Sequence, residues 1–249
     1  MLSPGGGVFM FSLVLPAYNE AENLEKCVEE VRKTLRGVKY EIIIAEDGST
    51  DGTDKIAARL ANKYRNITHL HHDKKLGRGL ALRKAFEHAK GNEIGYIDVD
   101  LATNITHLKK LIKYAKKYDV VTGSRYLPGS KVKRPALRMY ISRIYNLLVR
   151  VLIGCRIHDF QCGFKSFSKK FVKNEIFDIR ETSWAWDTII LAVAVKKGYK
   201  VKEFPIEWEE KRKGKHSISL KRIFNDFKIH GIALLKLIIK FRFNLNIKL

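Results

Sequence analysis

Short apolar runs alternate with amphipathic segments through the first half of this 249-residue chain. Five of the runs have the length and composition of buried strands, at residues 8–15, 40–45, 67–71, 93–100 and 120–123. The segments between them repeat apolar residues at helical spacing, at 20–35, 53–64, 79–90 and 105–117. Strands that alternate with helices predict βαβ units and a mainly parallel sheet, so we expect an α/β fold.

The fourth apolar run ends in two carboxylates, Asp98 and Asp100. At the carboxyl end of a buried strand they would lie where open α/β sheets bind their ligands. Paired carboxylates are hard oxygen ligands, suited to holding Mg²⁺ or Mn²⁺ against a diphosphate. Alone, the pattern Asp-x-Asp is as typical of a helix cap or a turn.

Two further strand ends strengthen the prediction of a ligand crevice. In the first, Pro16 is expected to fix the chain as it leaves the sheet, Tyr18 offers a stacking face and Glu20 an acceptor. In the second, Glu46 and Asp47 could accept hydrogen bonds from a base or a ribose. Each loop taken alone could equally be a cap or a turn, whereas together they predict a nucleotide crevice. The chain has neither a phosphate loop nor Gly-x-Gly-x-x-Gly, which argues against a kinase-like or dinucleotide site.

The second half is basic and amphipathic. The formal net charge is +22, and residues 131–156 contain seven Lys or Arg and no acid. Residues 211–249 contain eleven Lys or Arg and one acid. Such charge implies a polyanionic partner, and the large apolar residues in both stretches favour an anionic membrane surface over nucleic acid. We expect helices at 138–153 and 186–197, an extended segment at 160–168, and a strand at 199–208 interrupted by Pro205.

We expect three parts: a flexible leader at 1–10, a catalytic domain at 11–210 and a membrane-associating amphipathic segment at 211–249. No secretory signal and no uncharged run of spanning length are visible, so the expected location is the cytoplasmic face of a membrane. Three cysteines form no paired framework and are expected to be reduced, with Cys27 in the core.

Several motifs together resemble family 2 glycosyltransferases of the GT-A fold. They are Leu-Pro-Ala-Tyr-Asn-Glu (15–20), Glu-Asp-Gly-Ser-Thr-Asp-Gly-Thr (46–53), Leu-Gly-Arg-Gly-Leu-Ala-Leu (76–82) and Asp-Val-Asp (98–100). Val-Thr-Gly-Ser-Arg-Tyr (121–126), His-Asp-Phe-Gln-Cys-Gly-Phe-Lys (158–165) and Ala-Trp-Asp (185–187) resemble the branch that acts on polyprenyl phosphates. That branch comprises dolichyl-phosphate glucosyltransferases and dolichyl-phosphate mannose synthases. Gln-Cys-Gly-Phe-Lys is closer to the glucosyltransferase form.

The resemblance implies inverting transfer of a hexose from a nucleotide sugar to dolichyl phosphate. The nucleotide would be held by Pro16, Tyr18, Glu20, Glu46, Asp47 and Arg78. Asp98 and Asp100 would coordinate the metal, Mg²⁺ or Mn²⁺. Arg125, Arg138 and Ser142 would grip the acceptor phosphate, with Arg125 also counted among the catalytic residues.

The resemblance leaves the sugar open. The family usually has Asp where this chain has Glu46, and the segment 101–103 matches neither the mannose-synthase nor the glucosyltransferase form. UDP-glucose, GDP-mannose and UDP-N-acetylglucosamine all remain candidate donors. A family 2 enzyme with a glycan acceptor, a nucleotidyltransferase and a basic nucleic-acid-binding protein are the alternatives. Carboxylates at strand ends would repel nucleic-acid phosphates, so we expect no nucleic-acid partner.

Overall fold

A computed structural model describes residues 9–183 and 185–211 of the chain, together with residues 231 and 239. The strands in this part are β1 (Phe11–Ala17), β2 (Tyr40–Glu46), β3 (Ile67–Leu70), β4 (Glu93–Ile97), β5 (Val120–Ser124), β6 (Lys131–Lys133), β7 (Phe164–Ser168), β8 (Val201–Pro205) and β9 (Glu207–Glu209). The helices are α1 (Leu24–Thr34), α2 (Thr53–Lys63), α3 (Arg78–Glu87), α4 (His107–Ala115), α5 (Ala136–Ile153), α6 (Lys169–Glu175) and α7 (Trp186–Lys196), with a 3₁₀ turn at Ile176–Asp178.

The main sheet of the described residues has seven strands in the order β3-β2-β1-β4-β7-β5-β8. Its pairings are parallel except those of β7, which runs antiparallel to both β4 and β5. The carboxyl ends of β1, β2, β4 and β5 therefore meet the beginning of β7 at one edge. The prediction of a mainly parallel α/β sheet is confirmed.

Helices cover both faces of this sheet. Apolar residues of β1, β2, β4 and β7 that point to one side pack with α3, α5, α6 and α7 around Trp186. The alternate residues of β1 and β2 pack with α1, α2 and α4, and Cys27 is fully buried there, as predicted. All three cysteines are free thiols. Successive side chains along each strand point to opposite faces of the sheet, so the same strands contribute to a hydrophobic core on each face.

Several element boundaries differ from the predictions. Pro16 lies inside β1 and does not lead the chain out of the sheet; its register partner is Ala45 of β2. The pairing of β1 with β4 ends at Val14. Pro16, which has no N–H to donate, therefore lies beyond the part of β1 that pairs with β4. β4 ends at Ile97, not at Asp100, because the chain turns there and Leu101 adopts a φ of 52°.

The short elements β6 and α6 were not predicted. β6 pairs parallel with β9, and this pairing brings acidic residues onto the basic run that begins at Lys131. Lys131 lies 2.9 Å from Glu207, and Lys133 lies 3.6 Å from Glu209. The basic residues at the start of 131–156 are therefore paired with acids that lie outside this segment of the sequence. The split at Pro205 is confirmed, since β8 and β9 belong to different sheets.

Residues 1–8 of the predicted leader at 1–10, and most of the segment 211–249, lie outside the described residues, so the predicted roles of both segments stay predictions. Within the described part, no helix is both long enough and apolar enough to cross a membrane.

Candidate active site

The two aspartates of the Asp-Val-Asp motif follow β4 at the edge where the parallel strands end. The side chain of Asp98 is 32% exposed, and its Oδ1 accepts a hydrogen bond from Arg78 Nη2 at 2.8 Å. Asp100 Oδ1 accepts from the backbone N–H of Ala102 at 3.0 Å, which holds the turn at Leu101. The left-handed conformation of Leu101 costs free energy, and such strain is typical of functional sites.

Gly163 explains part of the Gln-Cys-Gly-Phe-Lys motif. The carboxylate of Asp98 lies directly over its Cα, so that any Cβ at position 163 would overlap both carboxylate oxygens. The Asp98 N–H also donates to the Gly163 carbonyl at 3.0 Å. Only glycine lets the metal-ligand candidate lie this close to β7.

Glu20 is buried in the loop that follows β1. Its carboxylate accepts a hydrogen bond from Asn23 Nδ2 at 2.8 Å, and its N–H donates to Thr53 Oγ1 at 2.9 Å. These contacts join the loop after β1 to the start of α2, at the edge where the parallel strands end.

A buried chain of charges supports Arg78 from behind. Its Nε lies 3.3 Å from Asp187 Oδ2, and Asp187 Oδ1 accepts from Lys165 Nζ at 2.8 Å and from the Tyr96 hydroxyl. Burial alone would raise the pKa of Asp187, but Lys165 and Arg78 outweigh it and the pKa is lowered. The charges of Asp98 and Asp187 likewise overcome burial and raise the pKa of Arg78. Arg78 is thus a fixed cation at the base of the carboxylate pair.

The residues expected to hold the nucleotide are arranged in two groups. Tyr18 is 39% exposed, and Lys75 Nζ lies 3.6 Å from its ring centroid, so Lys75 covers one face of the ring. Asp47 is buried and accepts from the N–H groups of Leu76 (2.7 Å) and Gly77 (3.1 Å). Its carboxylate therefore joins the end of β2 to the loop that leads into α3.

Glu46 points elsewhere. It is fully buried, and its carboxylate meets the Ser49 N–H and, at 2.5 Å, His71 Nδ1. These contacts place it between β2 and the end of β3, not with the carboxylates of β4.

The residues expected to grip the acceptor phosphate lie across β7 from the aspartates. Arg125 follows β5 and is held by buried Asp159, with Nε 2.7 Å and Nη2 2.8 Å from its two oxygens. Arg138 at the start of α5 is ion-paired with Glu210, and Ser142 Oγ accepts from Arg134 at 2.9 Å. Two of the three predicted residues are therefore ion-paired with carboxylates, and the third is hydrogen-bonded to an arginine.

Arg134 is a basic residue of this corner that the sequence reasoning missed. Its guanidinium lies 5.5 Å from the Trp208 ring centroid, as does that of Arg125. Burial, and then the neighbouring charge of Arg125, lowers the pKa of Arg134. Its Nε is buried and has no hydrogen-bond partner among the described residues, and Glu210 is 3.6 Å away. Arg134 and Arg125 thus place two positive charges close together, and Arg134 Nε is a hydrogen-bond donor available to a ligand. An anion bound here would be stabilised by both features.

The outer face of α5 is apolar and exposed. Its exposed side chains include Tyr140 at 64% and Val151 at 71%, with Leu137, Ile144, Leu147, Leu148 and Leu152 along the same helix. Such a continuous apolar face marks an interaction surface on a helix whose start also carries the acceptor-site candidates.

Comparisons with known proteins show the family of this chain and agree with its fold. Residues 12–175, more than half of the chain, match the family described as glycosyl transferase family 2. The chain belongs to glycosyltransferase family 2. It is 44% identical over 206 residues to glycosyltransferase AglD of Haloferax volcanii, which covers 80% of this chain and 33% of that protein. The chain thus spans about a third of that relative's length.

A second relative is dolichyl-phosphate beta-glucosyltransferase ALG5A of Trichomonas vaginalis. It is 34% identical over 221 residues, covering 84% of this chain and 68% of that protein. Among solved structures, glucosyl-3-phosphoglycerate synthase of Mycobacterium tuberculosis superimposes with a TM-score of 0.69 at 15% identity, covering 92% of this chain and 80% of that one. That protein was crystallised with Mn²⁺ or Mg²⁺ and UDP, and the likeness confirms the GT-A fold.

The sequence reasoning missed three buried partners of the site, Asp159, Lys165 and Asp187, and two partly buried ones, Arg134 and Glu210. Three of them lie within the quoted family motifs 158–165 and 185–187. The motifs therefore marked the segments, but only the structure shows that these residues hold Arg125 and Arg78 in place.

Proposed function

We propose that this protein transfers a hexose, with glucose favoured, from a nucleotide sugar to dolichyl or another polyprenyl phosphate, with inversion. The observation that carries the proposal is that a carboxylate pair and a cluster of arginines lie at one edge of the sheet, separated by a single strand. Asp98 follows β4 and Arg125 follows β5, with only β7 between them. Two strand spacings correspond to about 10 Å, which fits a sugar between a diphosphate and an acceptor phosphate. Relatives named dolichyl-phosphate beta-glucosyltransferase support the choice of acceptor and of glucose.

The carboxylate side fits a divalent cation, Mg²⁺ or Mn²⁺. Asp98 and Asp100 are hard oxygen ligands on a fixed turn, and their partial exposure leaves room for a substrate diphosphate to complete the coordination. An ion there would neutralise charge on the leaving diphosphate. Arg78, held by Asp98 and Asp187, adds a permanent positive charge beside that group. Tyr18 would stack on the base, and UDP-glucose is the donor we favour.

The arginine side suits a lipid monophosphate. By analogy with phosphorylated side chains, its second pKa is about 6, so it is mostly a dianion at neutral pH and needs little help from a general base. What it requires is orientation by guanidinium groups. Arg134 supplies the unsatisfied donor, while Arg125 and Arg138 are held by Asp159 and Glu210. Attack by the phosphate oxygen from this side, opposite the diphosphate, gives inversion and a β-linked product.

The exposed face of α5 supports contact with an anionic membrane. The helix carries apolar residues outward and Arg138 and Ser142 at its first turns, so docking this face on a bilayer would bring a lipid headgroup to the arginines. The cytoplasmic face and a contribution of residues 211–249 remain part of the proposal.

The test is transfer of label to the organic phase. Protein is incubated with dolichyl phosphate, Mg²⁺ or Mn²⁺, and UDP-glucose, GDP-mannose or UDP-N-acetylglucosamine in separate reactions. We expect label from UDP-glucose, loss of transfer after chelation, and loss in Asp100→Ala. The control is Asp178→Ala, which removes an exposed aspartate outside the site. Absence of transfer from all three donors, with native circular dichroism, would contradict the proposal.

A further inference from the structure

A cluster of possible metal ligands lies at the end of β2 and β3, away from the aspartate pair. His69 and His71 are two residues apart on and just beyond β3, so their side chains point to the same side. β2 pairs parallel with β3, with Ala45 opposite Leu70, which brings Glu46 next to His71. Two imidazoles and one carboxylate thus converge from adjacent strands.

The distances between these groups are close to those between ligand atoms around a bound metal ion. One ligand atom from each of the three residues lies within 4.8 Å of the others, and Glu46 Oε2 is 2.5 Å from His71 Nδ1. Ligands at about 2.0–2.1 Å from zinc in a tetrahedron lie roughly 3.4 Å apart. Small side-chain rotations, open to half-buried His69 and exposed His71, would close the difference.

An ion pair between Glu46 and His71 accounts for only part of this arrangement. His69 Nε2 is buried and has no hydrogen-bond partner in the part of the chain that the structure describes. A buried polar atom without a partner costs free energy, and a neutral imidazole nitrogen is a metal ligand. His71 also has a second carboxylate behind it, with Nε2 3.4 Å from Asp73 Oδ1. Ligating histidines commonly donate their other ring N–H to such a group.

We propose that Glu46, His69 and His71 bind one borderline-soft divalent metal ion such as Zn²⁺. This site is separate from the proposed Mg²⁺ or Mn²⁺ site. Two imidazoles and a carboxylate suit zinc, whereas magnesium prefers oxygen ligands and water. Three protein ligands leave one coordination position for water. The ion would fix the beginning of the loop that Asp47 holds through Leu76 and Gly77.

The experiment uses the full, untagged chain after metal removal. Zn²⁺ is titrated against a chromophoric chelator in excess Mg²⁺, and Co²⁺ replaces Zn²⁺ in a parallel series followed by visible absorption. We expect one equivalent of tight Zn²⁺ and the intense bands of four-coordinate cobalt. His69→Gln and His71→Gln should each lower affinity at least about tenfold and remove the bands. His88→Gln, which changes an exposed histidine outside the cluster, should bind like the wild type.

Asp100→Ala separates this site from the catalytic one. This variant should retain the Zn²⁺ affinity and the cobalt spectrum, because Asp100 is not one of the three proposed ligands. Unchanged affinity in both His69→Gln and His71→Gln, or loss of the tight equivalent in Asp100→Ala, would overturn the assignment.

Discussion

Lys165 offers the sharpest test of the buried charge network. Its side chain is fully buried in β7, and Nζ donates to the carbonyls of Phe160 (3.1 Å) and Cys162 (2.5 Å) and to Asp187 Oδ1 (2.8 Å). Lys165→Met keeps the length of the side chain but removes its charge and its donors. We therefore expect a large loss in the free energy of unfolding.

The magnitude follows from the contact with Asp187. At 2.8 Å and an effective dielectric constant of about 20, the attraction is about 6 kcal/mol. Removing one partner of a buried pair costs about 3–5 kcal/mol after the change in desolvation is included. Asp187 keeps Arg78 and the Tyr96 hydroxyl as partners, so we expect the lower end, about 3 kcal/mol.

Urea unfolding at pH 7 measures this loss. Lys170→Met, at an exposed position on α6, is the matched control and should change stability by no more than about 0.5 kcal/mol. In Lys165→Met/Asp187→Asn, the loss should be smaller than the sum of the two single losses by about 1 kcal/mol or more. A loss below about 1 kcal/mol for Lys165→Met, or strict additivity, would refute a coupled buried pair.

Three further predictions follow from single positions. Burial raises the pKa of Glu93 to about 9, so the wild type loses stability as the pH rises from about 4.5 towards 9, by at most about 1.4 kcal/mol per unit. The free energy of unfolding of Glu93→Gln, measured in urea, should therefore rise relative to that of the wild type between pH 5 and pH 8. If the two proteins lose stability in parallel over this range, the raised pKa of Glu93 is contradicted. Gly163→Ala should lower transfer at least about tenfold at saturating substrate, because its Cβ displaces Asp98; unaltered transfer would exclude that placement. Val151→Asp on α5 should weaken cosedimentation with anionic vesicles more than Phe177→Asp, an exposed apolar residue elsewhere; equal weakening would remove α5 as the contact.

The elements of the first half could be predicted because each is set by local periodicity. β2 and α2 begin at the predicted residues, Tyr40 and Thr53. The place of β7 between β4 and β5 could not be predicted, since strand order depends on contacts between residues far apart in sequence. The end of β4 was predicted too late because an apolar run continues through Val99, which packs below the turn.

The candidate site divides in the same way. Asp98 and Asp100 could be predicted from one strand end, and their position at the sheet edge agrees with that expectation. The pairing of Lys131 and Arg138 with acids could not be predicted, because Glu207 and Glu210 lie more than 70 residues further along the chain. The small sheet of β6 and β9 brings these segments together. Net charge along a sequence segment is therefore a poor guide to local field where β pairing is non-local.

β7 links the stability of the fold to the geometry of the proposed site. Gly163, which precedes it, allows Asp98 to lie against the sheet, and Lys165 within it neutralises Asp187, which in turn orients Arg78 towards Asp98. The donor-side charges are thus positioned by the buried core and not by a surface loop. Preorganised charge of this kind requires no rearrangement during reaction. It follows that substitutions at position 165 should change transfer and stability together. Asp100→Ala should abolish transfer but lower stability by only about 1 kcal/mol, the contribution of its one hydrogen bond to the turn.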